Sequence, residues 1–314
     1  MPEITCNDRH WTVPVGRNLL DELNAAGFAV PFSCRAGSCQ ACLVRCIEGE
    51  PLDARPEALP ATRRAQGWRL ACQCRIVSDL HVATYDPARE AIPADVHAVE
   101  WLAGQVLRLQ LIPQRPIRYR AGQHVLLWNA AGVARPYSLA SLPGEDVGLE
   151  LHIDCSRPGA FADSARALRP GDQLRLGALH EGGLYYEPDW QSRPLLMLAA
   201  GTGLAPLWGL LREALRQGHE APIRLIHVAS GESYLRAALE QLAARHGTLD
   251  VELVQGQASM EACLRSLRLR SRQEVALVCG REAFVEASSR RLFLAGLPRG
   301  QLLSDTFVSR RTDD

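Results

Sequence analysis

Four cysteines, Cys34, Cys39, Cys42 and Cys72, follow the spacing C-x4-C-x2-C-x29-C, and the first three match the arrangement that supplies thiolates to a [2Fe-2S] cluster. Two irons need four thiolates. A tight loop can supply three of them if its other residues are small, so that backbone N–H groups turn toward the sulfides, and Ala36, Gly37, Ser38 and Ala41 supply that smallness. Zinc is the competing metal, because four thiolates also suit Zn²⁺. Zinc sites, however, usually present two close cysteine pairs rather than an x4 gap beside an x2 gap. Cys74 is the rival fourth ligand. Otherwise it reads, like Cys6, Cys46, Cys155 and Cys263, as a small buried hydrophobe.

A second group of residues suits a dinucleotide. Gly201-Thr202-Gly203-Leu204-Ala205-Pro206 follows an apolar run and precedes a helical pattern, where glycines let phosphates approach the backbone. Pro206 fits a helix start. Glu232 can meet a ribose hydroxyl, and residues 229–232 lack an arginine pair to hold a 2′-phosphate, so NADH is favoured and NADPH less so. All 35 basic residues are arginine, which leaves no lysine for a Schiff base or a phosphate loop.

The fold has to bring these groups together. A chain of 314 residues exceeds one domain, and 47% hydrophobic with 22% charged residues describes a globular protein rather than a disordered or fibrous one. The 35 basic residues are balanced by 35 acidic ones, so there is no positive excess to attract nucleic acid or an anionic membrane surface. The apolar run over residues 195–211, within the longest uncharged stretch, is broken by Gly201, Gly203 and Pro206, which argues against a membrane span. Ten cysteines and an N-terminus without the features of a secretory signal point to a reducing cytoplasm.

A hairpin over residues 3–13, a helix at 19–26 capped by Asn18 and stopped by Gly27, and strands at 43–47, 70–76 and 80–83 make a small α+β unit. Residues 85–93 read as a linker. Apolar strands at 106–112, 124–128, 148–153 and 173–176 suggest an antiparallel barrel. Strands at 195–200, 223–228, 249–254 and 275–279 then alternate with helices at 207–217 and 234–246, the rhythm of a parallel α/β unit. The expected domains are 1–92, 93–190 and 191–314.

These motifs carry a resemblance. Ser33-Cys34-Arg35-Ala36-Gly37-Ser38-Cys39-Gln40-Ala41-Cys42, with Leu70-Ala71-Cys72-Gln73, is similar to the ferredoxin module fused to bacterial flavin reductases, which favours Cys72 as the fourth ligand. Arg135-Pro136-Tyr137-Ser138 resembles the R-x-Y-S flavin motif of the ferredoxin-NADP reductase superfamily. The resemblance implies that Arg135 neutralises pyrophosphate, that Tyr137 lies against the flavin, and that Ser138 hydrogen-bonds N5, where hydride arrives. Glu150-Leu151-His152-Ile153-Asp154 is similar to the family's other flavin-contacting strand. Pro158-Gly159-Ala160-Phe161-Ala162 is similar to its pyrophosphate-holding helix start, although Ala162 stands where a hydroxyl residue often closes that motif. Cys279-Gly280 resembles the start of the family's C-G-P-P motif, placing Cys279 by the nicotinamide, with Arg281 and Glu282 in place of the prolines. Phe307 lies in a segment similar to the family's final strand, where an aromatic covers the flavin face.

The expected architecture is multidomain, α+β, β and α/β: a β-grasp ferredoxin domain, an antiparallel flavin-binding β-barrel and a doubly wound parallel nicotinamide-binding domain. The implied activity passes electrons from NADH through FAD, favoured over FMN, to a [2Fe-2S] cluster and on to a terminal oxygenase or other electron-accepting protein. The opposing reading is a redox-sensing module without turnover, motivated by Arg281, Glu282 and Ala162.

Overall fold

The computed structural model describes residues 1–308. Strands β1 (Glu3–Cys6) and β2 (Arg9–Thr12) form a hairpin whose turn places Asn7 at φ 52°. Helix α1 (Leu19–Ala25) starts where the Asn18 side chain accepts from the N–H groups of Leu20 and Asp21, and it buries Leu19, Leu20 and Leu23. Next come β3 (Leu43–Glu48), β4 (Leu52–Asp53), α2 (Ala61–Ala65), β5 (Trp68–Leu70), β6 (Cys74–Arg75) and β7 (Leu80–Thr84). The sheet order is β2-β1-β7-β3-β5, with β1 and β7 parallel and the other neighbours antiparallel.

The continuous strand expected at 70–76 is interrupted. A 3-10 turn at Ala71–Gln73 lifts Cys72 out of the ladder, while the Ala71 N–H bonds the Cys42 carbonyl at 2.9 Å and the Asn18 amide donates to the Cys72 carbonyl at 2.9 Å. A residue that must face a loop cannot stay in a sheet. The linker expected at 85–93 is also ordered: Asp86 caps the short helix α3 (Pro87–Glu90), and β8 (Ile92–Leu102) begins two residues after it ends. Polar residues Asp95, His97 and Glu100 blur the alternation of β8, so its start was not visible before Val99.

The second sheet comprises β8, β9 (Val106–Pro113), β10 (His124–Trp128), β11 (Ala134–Ser138), β12 (Leu149–Asp154) and, after α4 (Ala160–Ala165), β13 (Gln173–His180). Its order is β11-β10-β13-β8-β9-β12, antiparallel throughout. Beyond β11, Leu139 forms an isolated bridge to Leu151 of β12, and the Ala140 N–H bonds the Glu150 carbonyl at 2.8 Å. Leu107, Leu109 and Leu111 of β9 are all buried in one cluster with Val125, Leu127 and Leu151.

The third sheet is parallel. Its elements are β14 (Leu195–Ala200), α5 (Leu204–Arg216), β15 (Ile223–Ala229), α6 (Arg236–Arg245), β16 (Leu249–Gln255), α7 (Gln257–Ser266), β17 (Val275–Arg281), α8 (Glu282–Leu294) and β18 (Leu302–Phe307), in sheet order β16-β15-β14-β17-β18. Both faces of β14 are buried: Leu195, Met197 and Ala199 pack with α5, whereas Leu196 and Leu198 pack with residues of α7 and α8. No described helix is long and apolar enough to cross a membrane.

Candidate functional site

The cysteine loop is shaped around sulfur. Left-handed backbone at Arg35 (φ 49°), Gly37 (φ 83°) and Gln40 (φ 50°) folds it tightly. The N–H groups of Ala36 and Cys39 each reach Cys34 Sγ at 3.3 Å, and the Cys34 N–H reaches Cys39 Sγ at 3.5 Å. From the turn, Gln73 Nε2 donates to Cys72 Sγ at 3.1 Å and to the Arg35 carbonyl at 2.9 Å.

The thiols gather two by two. Cys34 shares a hydrogen bond with Cys39, and Cys42 shares one with Cys72. Within each pair the partner thiol draws one pKa down, at Cys34 and Cys72, and pushes the other up, at Cys39 and Cys42. Among the described residues no three His, Cys, Asp or Glu side chains form a single-ion site. Two thiol pairs fed by backbone donors fit a two-iron cluster, two sulfurs to each metal. Cys74 is buried in the hydrophobic core, and that burial pushes its thiol pKa up, whereas Cys72 faces the loop.

Beside this loop lies a cavity of about 1660 Å³ with walls from the cysteine loop and from the second and third sheet regions. Cys34, Ala36, Gly37, Ser38 and Cys39 line one end, whereas Cys42 and Cys72 are not part of the wall. Arg135, Pro136, Tyr137 and Ser138 form the adjacent wall from β11, where burial pushes the Tyr137 hydroxyl upward and its ring meets Phe161 at 5.2 Å. His152 and Asp154 contribute from β12, followed by Gly159, Ala160, Phe161 and Ala162. Ile153, on the other face of β12, is buried in the core. Ser164 supplies no hydroxyl in place of Ala162, because its Oγ donates to the Phe161 carbonyl and accepts from Asn129.

The opposite end is built by close backbone approach. Gly201, Thr202 and Ala205 line it, whereas Gly203, Leu204 and Pro206 pack inward. A side chain at Gly203 would stand 2.3 Å from the Cys279 carbonyl oxygen, and one at Gly280 would stand 2.9 Å from Ala200 Cβ. Cys279 itself is fully buried and is not part of the cavity wall; burial and the nearby Asp305 push its thiol up. Glu232 lines the far rim and pairs with Arg236 at 3.3 Å. Across the opening, Arg281 meets Asp154 at 3.9 Å, and Phe307 closes one side with Asp305 and Thr306.

Two wall residues had no motif to announce them. His124 is buried with both ring nitrogens lacking partners, an orphaned pair of polar atoms that suits a cavity meant to hold a polar ligand. Asp305 lies close enough for each charge to shift the other, and burial raises its carboxyl. A lone His and a lone Asp on strands carry no spacing signal. A seam of aromatic rings also escaped notice: Tyr85 stacks on Trp128 at 5.7 Å and 16°, and Trp68 lies 6.0 Å from Tyr85. With Ala41 and Leu126 this seam fastens the cysteine loop to the second sheet.

A sulfur-lined loop and a glycine-built nucleotide loop opening on one cavity define an iron-sulfur, nicotinamide-binding oxidoreductase. Residues 4–77 match the 2Fe-2S iron-sulfur cluster binding domain family, and residues 197–290 match the oxidoreductase NAD-binding domain family. Reductase component 1 of terephthalate 1,2-dioxygenase from Comamonas sp is 31% identical over 236 residues, 72% of this chain and 70% of that protein. The ferredoxin–NAD(P)(+) reductase component of the naphthalene 1,2-dioxygenase system of Pseudomonas putida is 33% identical over 79% of this chain and 77% of its own. An Amycolatopsis cytochrome P450 reductase superposes with a TM-score of 0.67 at 25% identity, covering 98% of this chain and 99% of that one. The chain belongs to the family of ferredoxin-type NAD(P)H reductase components of oxygenase systems.

Proposed function

We propose that this protein carries electrons from NADH through FAD to a [2Fe-2S] cluster and on to an oxygenase component or another electron-accepting protein. The observation that carries this reading is the single cavity on which the cysteine loop, the Arg135–Ser138 strand and the Gly201 loop all open. When bound, nicotinamide supplies a hydride, flavin accepts the pair, and the cluster accepts electrons singly.

The chain's own residues bind and align. Cys34, Cys39, Cys42 and Cys72 hold the irons. Arg135 would offset pyrophosphate charge with the N–H groups of residues 159–162, while Tyr137, Ser138 and Phe307 would hold the flavin ring, Ser138 by a hydrogen bond to N5. Gly201 and Thr202 admit the dinucleotide phosphates. Cys279, buried in β17 behind the cavity wall, acts on the nicotinamide end through the carbonyl that sets the position of Gly203. Glu232 and Glu261 line the far rim, and the described lining residues between 228 and 264 include no arginine, which favours a ribose hydroxyl over a 2′-phosphate.

The same reading assigns the three sheets to a β-grasp domain at 1–92, a flavin-binding barrel at 93–190 closed near the Leu139–Leu151 bridge, and a doubly wound domain at 191–314. It places the protein in the cytoplasm. Anaerobic mixing with NADH tests it: flavin absorbance bleaches, cluster absorbance follows, and cytochrome c is reduced. Bound flavin that ignores NADH would favour the redox sensor instead.

A further inference from the structure

Among the described residues, His152 and Tyr234 form a direct hydrogen bond between buried side chains of the second and third sheet regions, and its surroundings give it a direction. His152 Nδ1 lies 3.0 Å from the Tyr234 hydroxyl, and Nε2 lies 3.0 Å from Glu150 Oε1. The second Glu150 oxygen accepts from Arg108 Nε at 2.8 Å and from Gln110 at 3.3 Å. The Glu150 carboxyl is pulled down to about 2 by His152 and Arg108, against the effect of its burial, so it is an acceptor only. His152 Nε2 therefore donates to Glu150, and in the neutral ring Nδ1 is left to receive the Tyr234 hydroxyl hydrogen.

On the far side, the Tyr234 ring stands edge-on to His152 (5.2 Å, 82°) and to His227 (5.7 Å, 90°). His227 Nε2 lies 3.0 Å from the Gly201 carbonyl, to which it can only donate, and its Nδ1 lies 2.7 Å from the Ser233 hydroxyl. A line of contacts thus runs from a carboxylate in the second sheet to the glycine loop of the third, hydrogen-bonded except where the Tyr234 ring packs edge-on against His227. His152, Tyr234 and Gly201 all line the cavity.

We propose that His152 and Tyr234 are positioning residues for hydride transfer, holding the Gly201 loop at a fixed distance and angle from strand β12. This rests on the reading that the cavity takes flavin and nicotinamide. An apolar contact between the two regions would let them slide; a buried hydrogen bond resists sliding, because breaking it strands two polar groups away from water. Hydride transfer is the step most sensitive to such slack.

Tyr234→Phe removes one hydroxyl and keeps the ring. In anaerobic stopped-flow, its limiting rate of flavin bleaching by NADH falls about tenfold, as expected for slack at reacting atoms. Half-saturating NADH moves by less than about twofold, which separates alignment from binding. Flavin and cluster absorbance per chain stay unchanged, and so does cluster reduction by dithionite. Hydrogen exchange of the resting protein without NADH supplies a second readout: amides at 201–204 exchange faster, while those at 34–42 do not. His152→Gln gives the same pattern, and the double variant is no slower than the worse single one, since both break one bond.

Wild-type bleaching and exchange in Tyr234→Phe would overturn the proposal. So would additive losses in the double variant, or loss of flavin or cluster from both single variants, which marks a merely structural bond. If wild-type protein itself does not bleach with NADH, the functional reading fails instead.

Discussion

The two ends of the cavity achieve binding by opposite means. At the sulfur end the chain contributes side chains: four thiols, with backbone N–H groups directed at Cys34 and Cys39. At the nucleotide end it contributes their absence, with Gly203 against the Cys279 carbonyl and Gly280 against Ala200. The first end depends on chemical identity and the second on volume, so each should be sensitive to a different kind of substitution.

Cys39→Ser is the sharpest way to part them. It should abolish the visible cluster absorbance and bring cytochrome c reduction to background, yet leave NADH-driven ferricyanide reduction at the flavin within about twofold of wild type. Equal loss of both activities would mean the two ends are not separable. Gly203→Ala is the converse. Its backbone angles (φ −59°, ψ −14°) suit alanine, so any loss comes from the added methyl's contact with the Cys279 carbonyl. Overpacking of that kind costs about 1–3 kcal/mol. We expect weakened NADH-driven flavin bleaching, read by stopped-flow, with cluster absorbance intact.

Acid should act on both ends at once. Burial pushes His227, beside the Gly201 loop, down to about 4, and His180, beside His124, down to about 3, from an ordinary 6.5. The unfolded chain then binds protons that the folded one refuses, so stability is complete above about pH 6.5 and declines as pH falls toward these values. Each ring contributes a slope of about 1.4 kcal/mol per pH unit at most within its window. A melting temperature that stays level between pH 7 and pH 5 would contradict the buried neutral rings. The smallest effect belongs to Arg281→Ala. Its pair with Asp154 is exposed and long at 3.9 Å, and such pairs contribute about 0–1 kcal/mol, so half-saturating NADH should shift by less than about fivefold.

Legibility in the sequence followed the same division. Cysteine spacing announced the sulfur end because ligation fixes residue type and interval together. The glycine loop was visible because it sits between a fully apolar strand and a helix. The pairings of His124 with Asp305 and of His152 with Tyr234 were not, since the members of each pair lie far apart in the chain and meet only in space. Helices α7 and α8 were missed for another reason. Among the residues of α7 only Cys263 is buried, and α8 buries Ser288 beside Phe284, Val285 and Leu292, so neither shows a clean apolar stripe. The turn at Cys72 was hidden because the run Leu70 to Ile76 has strand-like composition, and nothing in it marks where the ladder must stop.

The Trp68, Tyr85 and Trp128 rings make the junction between the first two regions a packed seam rather than a hinge. Internal handover therefore waits on no swinging arm. Thickening the solvent with sucrose leaves that handover at its own pace and slows only the diffusive meeting with whatever takes the electrons away.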